Sequence, residues 1–315
     1  MASKVDQSPV SGGKKPPFSR LVRALNGESF FRNVLAMPMQ LLLWFLLIIP
    51  TLIVLYLSLV SWEPRMGTDW WQAPFAWFQN YGHVLSDVRF WQAIVRTIGV
   101  VVVAVTLEFS IGLGLALFFQ RDFLGKRLFT AVVLYPMMLP WVVVGLAFYL
   151  LFLEKGPVNY MLIHFLGLKT GVAWYHYPAL ALSTIILADV WQWTPFMFLI
   201  LYSGLGALPR DPVEAAMTLG ANRWQIFRYI TMPMLKQVII IALIIRGLEA
   251  FKIFDLVFIM TGGGPGTATE SLSLYIYRLG FVYGQLSYAA AMAVLILLSI
   301  SIVTRLAIRP LEYEA

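Results

Sequence analysis

Four charged side chains recur at every third position of an otherwise apolar stretch. They are Arg246, Glu249, Lys252 and Asp255, and residues 238–261 around them hold fifteen Leu, Ile, Val or Phe. At the centre of a membrane helix the four charges would cost roughly 10–14 kcal/mol, against roughly 5–9 kcal/mol gained from the apolar residues. These charged side chains are therefore not expected to face lipid.

Two uses of these charges follow from their chemistry. Because the signs alternate, each residue can pair with its neighbour along a helix and form an internal ion-pair ladder. Alternatively, the charges can line a polar route for a hydrophilic solute. A step of three residues turns a helix by about 300°, so the four side chains spread over half its surface and cannot all face one route.

The segments that would position these charges indicate a membrane protein. The chain has 315 residues, of which 60% are hydrophobic and only 12% charged, far from the profile of a soluble domain. Windows long enough to cross a bilayer occur at 33–62, 95–119, 128–153, 178–203, 236–260 and 279–304. We therefore predict six spans, with Glu108 in the second and Asp189 in the fourth. Pro136, Pro140 and Pro195 should bend the third and fourth spans.

The basic residues predict the orientation of these spans. Of the 23 Lys and Arg, fifteen fall in the N-terminal segment, in 120–129, in 205–237 and at the C-terminus, whereas five fall in the alternate loops. Cytoplasmic loops carry such an excess, so both termini and the 205–237 segment should face the cytoplasm. The first apolar run has no small-residue cleavage site, and we expect it to remain as an anchor.

Several functional classes lack their residues in this sequence. There is no cysteine, and His83, His164 and His176 have no metal-ligand spacing, so we predict neither a metal site nor catalytic residues. No phosphate-cradling GxxxxGK[ST] loop occurs, and no cofactor is expected. The net charge of +7 is scattered between apolar stretches, which argues against nucleic-acid binding.

The polar segment DPVEAAMTLGANRWQIFRYITMP, residues 211–233, interrupts two apolar runs. Asp211 suits the N-cap of a helix, with Pro212 in its first turn and Glu214 placed for a capping box. Gly220 should close this helix. Asn222, with Gln225 three residues later, should cap a second helix that Pro233 ends. A face of Val213, Ala216, Met217 and Gly220 either contacts another protein or packs beneath the chain's own bundle.

This segment resembles a known motif. Glu214-Ala215-Ala216, Gly220, Ile230 and Pro233 have the spacing of the EAA loop found in permease subunits of binding-protein-dependent ABC importers, with Met232 where Leu is usual. The resemblance implies that Asp211, Glu214, Ala215, Ala216 and Gly220 couple the chain to cytoplasmic ATPase subunits. It also implies a second, homologous permease subunit and an extracytoplasmic solute-binding protein as partners. ATP hydrolysis would be done by a separate subunit, so the chain itself would not be an enzyme.

A second resemblance narrows the solute. FKIFDLVFIMTGGGPGTATESLSLYIY, residues 251–277, is similar to a segment of carbohydrate-uptake permeases of the maltose and glycerol-phosphate type. It implies transport of a sugar or polyol. Because sugar sites combine aromatic faces with polar groups, the proposed solute path consists of Trp191, Trp193, Glu249, Phe251, Lys252 and Asp255. Gly263, Gly264 and Pro265 are candidate contacts for the binding protein, or a simple turn.

The interpretation is thus an all-α integral membrane bundle of six transmembrane helices with the type I ABC importer permease fold. Residues 1–35 form a cytoplasmic segment, and residues 36–310 form the permease domain, with the coupling loop at 207–233. The protein should be a multi-pass component of the inner membrane. One alternative is an ion-coupled secondary transporter of a small polar solute that uses Glu108, Asp189 and the charged residues of the fifth span as relay groups. Another is a membrane-embedded enzyme, against which the scattered histidines argue.

Overall fold

The computed structural model describes residues 28–312, and this part of the chain is helical. The chain divides into two units, one ending at Tyr56 and the other beginning at Leu57. In chain order the α-helices are α1 (Glu28–Leu43), α2 (Ile49–Leu59), α3 (Gln79–Ser86), α4 (Val88–Phe119), α5 (Lys126–Leu134), α6 (Trp141–Leu151), α7 (Pro157–Leu166), α8 (Pro178–Ala207), α9 (Asp211–Thr218), α10 (Arg223–Ile226), α11 (Met232–Phe251), α12 (Asp255–Met260), α13 (Leu272–Tyr277) and α14 (Leu286–Glu312). Most of residues 1–35, the predicted N-terminal segment, lies outside the described residues.

Within the described range, four helices are long and apolar enough to cross a membrane, and a bent helix pair raises the number to five. The four run over Leu35–Leu59, Val88–Phe119, Pro178–Ala207 and Leu286–Arg309. The predicted all-helical membrane fold is therefore confirmed. The predicted count of six is not reached by length and composition. Helix α11 is long enough at 20 residues, but it carries Lys236, Arg246 and Glu249 and is not among these helices.

The third predicted span is bent, as its prolines predict. Helix α5 continues as a 3-10 turn over Tyr135–Met138, and this unit meets α6 at an angle of 97°. Leu139 and Pro140 are extended between them, the conformation that a residue preceding proline prefers. Pro195, by contrast, lies inside α8, which continues through it to Ala207.

The fifth span is not the continuous helix predicted for 236–260. Helix α11 ends at Phe251, and α12 begins only at Asp255. The break leaves the carbonyl of Ile253 outside the helical ladder, and the Ser271 hydroxyl, 18 residues away, donates to it at 2.8 Å. A distant side chain thus satisfies the backbone that the break frees, which local sequence patterns do not indicate.

The start of the last span was also predicted too early. Residues 279–282 belong to a π-helical turn, Arg278–Val282, that continues α13. Gly284, with a φ of +76°, then redirects the chain before α14 begins at Leu286. The apolar window that starts at 279 therefore spans a turn, which hydropathy alone does not reveal.

Helices α4 and α8 pack closely at the centre of the second unit. A Cβ on Gly112 would lie 2.7 Å from the Cβ of Met197 and 3.0 Å from the backbone nitrogen of Phe198. Small residues permit such close backbone approach between membrane helices. The pair carries Glu108 and Asp189, and its packing fixes where these carboxylates lie.

Candidate functional site

Helix α9 begins one residue earlier than the capping pattern predicts. The carbonyl of Arg210 accepts hydrogen bonds from the backbone of Val213 and Glu214, both at 3.0 Å. Arg210 is therefore the N-cap, and no side chain caps this helix. The predicted capping box of Asp211 and Glu214 is wrong, because Asp211 already lies in the first turn. There both carboxylates favour the helix through its dipole.

Gly220 closes α9 as predicted. Its φ is +85°, in the left-handed region that favours glycine. Its N–H donates to the carbonyl oxygen of Met217 at 3.0 Å, and the N–H of Ala221 donates to the carbonyl oxygen of Ala216 at 3.0 Å. These two bonds form a Schellman motif, which satisfies carbonyls at the end of the helix.

The second helix of the loop begins as predicted but does not end as predicted. The backbone and side chains of Asn222 and Gln225 exchange hydrogen bonds of 2.8 and 2.9 Å, which completes a capping box. Pro233 does not end the helix, since a π-helical turn, Phe227–Thr231, leads directly into α11. A wider turn in front of a proline relieves the clash between its ring and the preceding turn.

The loop presents large apolar side chains to its surroundings. No side chain of α9 is buried, and Met217 and Leu219 are 57% and 88% exposed. Across Gly220, Trp224 and Tyr229 are 68% and 73% exposed. The loop does not fold beneath its own bundle, and exposed apolar surface of this kind indicates a contact with another molecule.

Arg246 joins three helices through buried ion pairs. Its Nε and Nη2 donate to the two carboxylate oxygens of Glu108 at 2.6 and 2.8 Å, and Nη2 also donates to Asp189. The guanidinium lies 4.8 Å from the ring centroid of Trp193. The side chains of Arg246 and Glu108 are fully buried, and that of Asp189 is 1% exposed. We name Glu108, Asp189 and Arg246 the buried triad.

The charge ladder predicted along the fifth span is only partly formed. Glu249 and Lys252 form an ion pair of 2.8 Å, three residues apart. Arg246 instead pairs with carboxylates on α4 and α8. Its side chain is buried between these helices, whereas Glu249 on its own helix pairs with Lys252. Asp255 lies in the first turn of α12, beyond the helix break.

A cavity of about 200 Å³ lies at this break. Its lining includes Trp141, Glu249, Lys252 and Asp255. Trp141 begins α6, so the cavity lies where two interrupted helices meet. Discontinuous helices of this kind form solute sites in many transporters.

The remaining predicted path residues lie elsewhere. The Trp193 ring is 5.4 Å from that of Trp141, so it adjoins the cavity from the side of the buried triad. The Trp191 ring lies 5.6 Å from Phe148 and is 41% exposed. Phe251 lines an apolar groove of about 530 Å³ between α4, α11 and α14.

Gln192 is a structural residue that was not among the predicted site residues. It is 3% exposed, and its Nε2 donates to the carbonyl of Leu139 at 2.9 Å, at the bend between α5 and α6. It therefore ties α8 to the bend that presents Trp141. The signal available in the sequence was an amide in an apolar span.

The glycine-rich turn with Gly263, Gly264 and Pro265 is held from within. Thr269 donates through its hydroxyl to the carbonyl of Gly264 at 2.8 Å and through its N–H to that of Gly263 at 3.2 Å. Gly263 is buried with a φ of +88°. Gly264 and Pro265 are partly exposed, and their contact with a binding protein stays a prediction.

Glu270 anchors the same turn. Its fully buried carboxylate accepts two hydrogen bonds of 2.8 Å from Arg89 and one of 2.6 Å from Arg278. Arg278 also donates to the carbonyl of Gly262. Burial favours the protonated acid, but the two guanidinium groups outweigh it and hold the pKa of Glu270 below its usual value.

Comparisons with known proteins agree with the predicted family. Residues 108–312 match the family described as the binding-protein-dependent transport system inner membrane component. The chain is 36% identical over 274 residues to the trehalose/maltose transport system permease protein MalF of Thermococcus litoralis, which covers 83% of this chain and 92% of that protein. It is 34% identical over 269 residues to the sulfoquinovosyl glycerol transport system permease protein SmoG of Agrobacterium fabrum, covering 85% and 86%.

Solved structures show the same fold. A chain from a bacterial ABC transporter involved in the import of the acidic polysaccharide alginate superposes with a TM-score of 0.75 at 19% identity, covering 91% of this chain and 96% of that chain. This similarity confirms the predicted type I importer permease fold. With the family match to residues 108–312, which include the whole loop at 211–233, it leads to one conclusion. The chain belongs to the family of inner-membrane components of binding-protein-dependent transport systems.

Proposed function

We propose that this chain is the permease subunit of an ATP-driven importer that carries a sugar or polyol across the inner membrane. In this family ATP hydrolysis is done by separate subunits, so the chain contributes the membrane passage and not the hydrolysis. Its relatives named above are permeases for trehalose/maltose and for a sulfoquinovosyl glycerol. The single observation that carries the proposal is the exposed, firmly closed loop of α9 and α10 between two membrane helices.

The docking role rests on the rigidity and exposure of that loop. Its two short helices are joined by the Schellman motif at Gly220 and the capping box at Asn222. Asp211, Glu214 and Ala215 are exposed on α9, and Ala216 is half-exposed. A rigid element transmits a push better than a mobile one, so we assign these residues and Gly220 to the contact with the ATPase subunits.

The orientation of the chain follows the distribution of its basic residues. We place both termini and the α9–α10 loop in the cytoplasm because short loops rich in Lys and Arg are retained there. Arg89 and Arg278, two basic residues in the loops assigned to the outer side, both form ion pairs with Glu270. Their charges are thus neutralised within the fold.

Orientation and docking can be tested with single cysteines, because the chain has none of its own. Ala215→Cys lies in the loop, and Lys155→Cys lies at an exposed position between α6 and α7. A membrane-impermeant maleimide should label Lys155→Cys in intact cells and Ala215→Cys only after permeabilisation. A cross-linker attached at Ala215→Cys should capture a nucleotide-hydrolysing subunit, whereas the same reagent at Lys155→Cys should not. Labelling of Ala215→Cys from outside would refute both assignments.

The cavity at the helix break is the proposed solute site. An aromatic face, Trp141, lies beside the polar groups of Glu249, Lys252 and Asp255, a combination that suits the apolar faces and hydroxyls of a sugar. Trp193 adjoins this cavity through Trp141. We place the contact with the binding protein at the turn of Gly263, Gly264 and Pro265, on the outer side in the proposed orientation.

The solute site can be tested by transport kinetics in the assembled importer. Trp141→Ala and Asp255→Asn should raise the solute concentration needed for half-maximal uptake. Trp191→Ala, a change of the same aromatic type outside the cavity, serves as the control. Equal effects of Trp141→Ala and Trp191→Ala would contradict the site. The solute class itself can be tested by screening neutral sugars and polyols against the cognate binding protein, since a ligand that binds the folded state raises the melting temperature.

A further inference from the structure

The buried triad lies outside the lining of the solute cavity and outside the loop at 211–233. Glu108 lies on α4, Asp189 on α8 and Arg246 on α11, so one guanidinium links three helices. The three side chains are fully or almost fully buried. Buried ion pairs are weak contributors to stability compared with apolar packing of the same volume, and a role in conformational specificity is a hypothesis to test in each protein.

The triad lies on the two helices that enter and leave the loop. Helix α8 ends at Ala207. At a rise of 1.5 Å per residue, Asp189 lies roughly 27 Å along the helix from that end. Arg246 follows Met232, the start of α11, by roughly 21 Å. Any displacement of the loop therefore reaches this level of the bundle through two continuous helices.

The two carboxylates are bound unequally. Glu108 accepts two parallel hydrogen bonds from Arg246, a bidentate arrangement that is strong and directional. Asp189 accepts from Nη2 alone, and this nitrogen is shared with Glu108. The second oxygen of Asp189 and the Nη1 of Arg246 have no hydrogen-bond partner among the described residues. The link between α11 and α4 is thus complete, whereas the link between α11 and α8 is not.

The surroundings of Asp189 share this incomplete pairing. The Oε1 of Gln192 and the Nε1 of Trp193, both on α8, are also buried without a partner in the described structure. Buried polar atoms are generally paired in native proteins, so a group of unpaired atoms on one helix face calls for an explanation. An arrangement that is fully paired only in a second conformation would explain it.

We propose that the contact between Arg246 and Asp189 is a latch that holds α8 against α11 in this conformation and opens when the loop is moved. Arg246 remains bound to Glu108 in both conformations, so α11 and α4 move together. Arg246 and Asp189 are therefore positioning residues for transport. The inference rests on the proposed function, because it takes the loop as the point at which the ATPase subunits act.

Two matched variants separate a latch from a merely structural ion pair. Asp189→Asn and Glu108→Gln each replace one of the two carboxyl groups with a hydrogen-bonding amide of nearly the same shape. Each leaves one carboxylate facing one guanidinium, so the remaining net charge of the triad is the same. A structural ion pair predicts similar behaviour for both variants. A latch predicts that Asp189→Asn alone shifts the balance between conformations.

The conformation can be read from two spin labels in the assembled importer. Leu199→Cys on α8 and Gln237→Cys on α11 are exposed positions in a chain without cysteine. The parent should show one distance distribution without nucleotide and a second when the ATPase subunits are trapped with nucleotide. Asp189→Asn should raise the population of the second distribution in the nucleotide-free state by roughly tenfold, because the hydrogen bond from Arg246 is then made to a neutral amide in place of a carboxylate. Glu108→Gln should leave it at the parent level.

Coupling provides the second measurement. Asp189→Asn should raise ATP hydrolysis in the absence of solute and lower the amount of solute moved per ATP. Glu108→Gln should lower the melting temperature without changing that ratio. Equal distance distributions and equal ratios in the two variants would overturn the latch. A parent complex that neither binds an ATPase subunit nor transports would instead overturn the proposed function, so the two failures are distinguishable.

Discussion

Replacing Gly220 should weaken the contact with the ATPase subunits through backbone strain alone. The residue has a φ of +85°, and a Cβ built there would meet no heavy atom within 4 Å. A substitution therefore adds no clash. It only places an L side chain in the left-handed conformation, which costs about 1–2 kcal/mol for residues other than glycine, with asparagine the best tolerated.

The structure predicts how much each substitution of Gly220 weakens binding and how the variants rank. The strain acts on the closure of α9, where Gly220 and Ala221 donate the two hydrogen bonds of the Schellman motif. A penalty of about 1–2 kcal/mol corresponds to a factor of roughly 5–30 in an equilibrium constant. The dissociation constant for the ATPase subunit should thus rise by that factor for Gly220→Ala, by more for the β-branched Gly220→Val, and by less for Gly220→Asn.

The assay is a titration of ATPase subunits onto the permease pair in lipid nanodiscs, with binding and solute-stimulated hydrolysis measured together. Gly206→Ala is the matched control, since Gly206 also lies in open space but has no left-handed φ. It should bind like the parent. If Gly220→Val bound as tightly as the parent, or if Gly220→Asn were as weak as Gly220→Val, strain at the loop closure would not be the determinant of docking.

Further predictions concern packing, charge and pH. Gly112→Ala should lower the melting temperature, because the added Cβ would lie 2.7 Å from a side chain of α8, an overpacking cost of about 1–3 kcal/mol. Gly114→Ala, in open space on the same helix, should be neutral or stabilising. Equal melting-temperature shifts in the two variants would contradict the overpacking argument. Glu214→Lys should reduce solute-stimulated ATP hydrolysis, since it places a cation in the first turn of a helix; parent-like hydrolysis would count against docking there. Gln192→Leu should leave a buried carbonyl unpaired at the helix bend and cost about 1–3 kcal/mol in thermal stability; an unchanged melting temperature would refute it. Because the pKa of Glu270 is lowered in the folded protein, its ionised carboxylate stabilises the fold at any pH above the ordinary pKa of about 4.3, and this stabilisation is lost as the pH falls through the lower native pKa. The melting-temperature difference between parent and Glu270→Gln should therefore hold from neutral pH to about pH 5 and then shrink. A constant difference down to pH 3 would contradict this prediction.

The sequence by itself determined the class of the molecule and two features of its loop, the closure of α9 and the cap of α10. Composition and the length of the apolar runs are enough to indicate a membrane bundle, because a bilayer demands about 20 apolar residues per span. The closure at Gly220 and the capping box at Asn222 and Gln225 were also predictable. They depend on residues within one or two helical turns, so local rules contain all their partners.

Tertiary structure decided the partners of the buried charges. The alternating signs along α11 predicted local pairs, and only Glu249 and Lys252 form one. Arg246 pairs instead with Glu108 and Asp189, 138 and 57 residues away. An exposed pair along a helix contributes only a few tenths of a kcal/mol. A guanidinium buried between helices must find carboxylates wherever packing places them, and no local pattern contains that information.

The helix boundaries that were missed have the same cause. Helix α11 ends at Phe251 because Ser271 satisfies the backbone freed by the break, and the bend at Leu139 is held by Gln192. In a bilayer an interrupted helix is tolerated only where other parts of the protein bind its free backbone groups. Hydropathy predicts that a segment is buried in the membrane, but only the folded chain supplies the distant donors that decide where a helix ends.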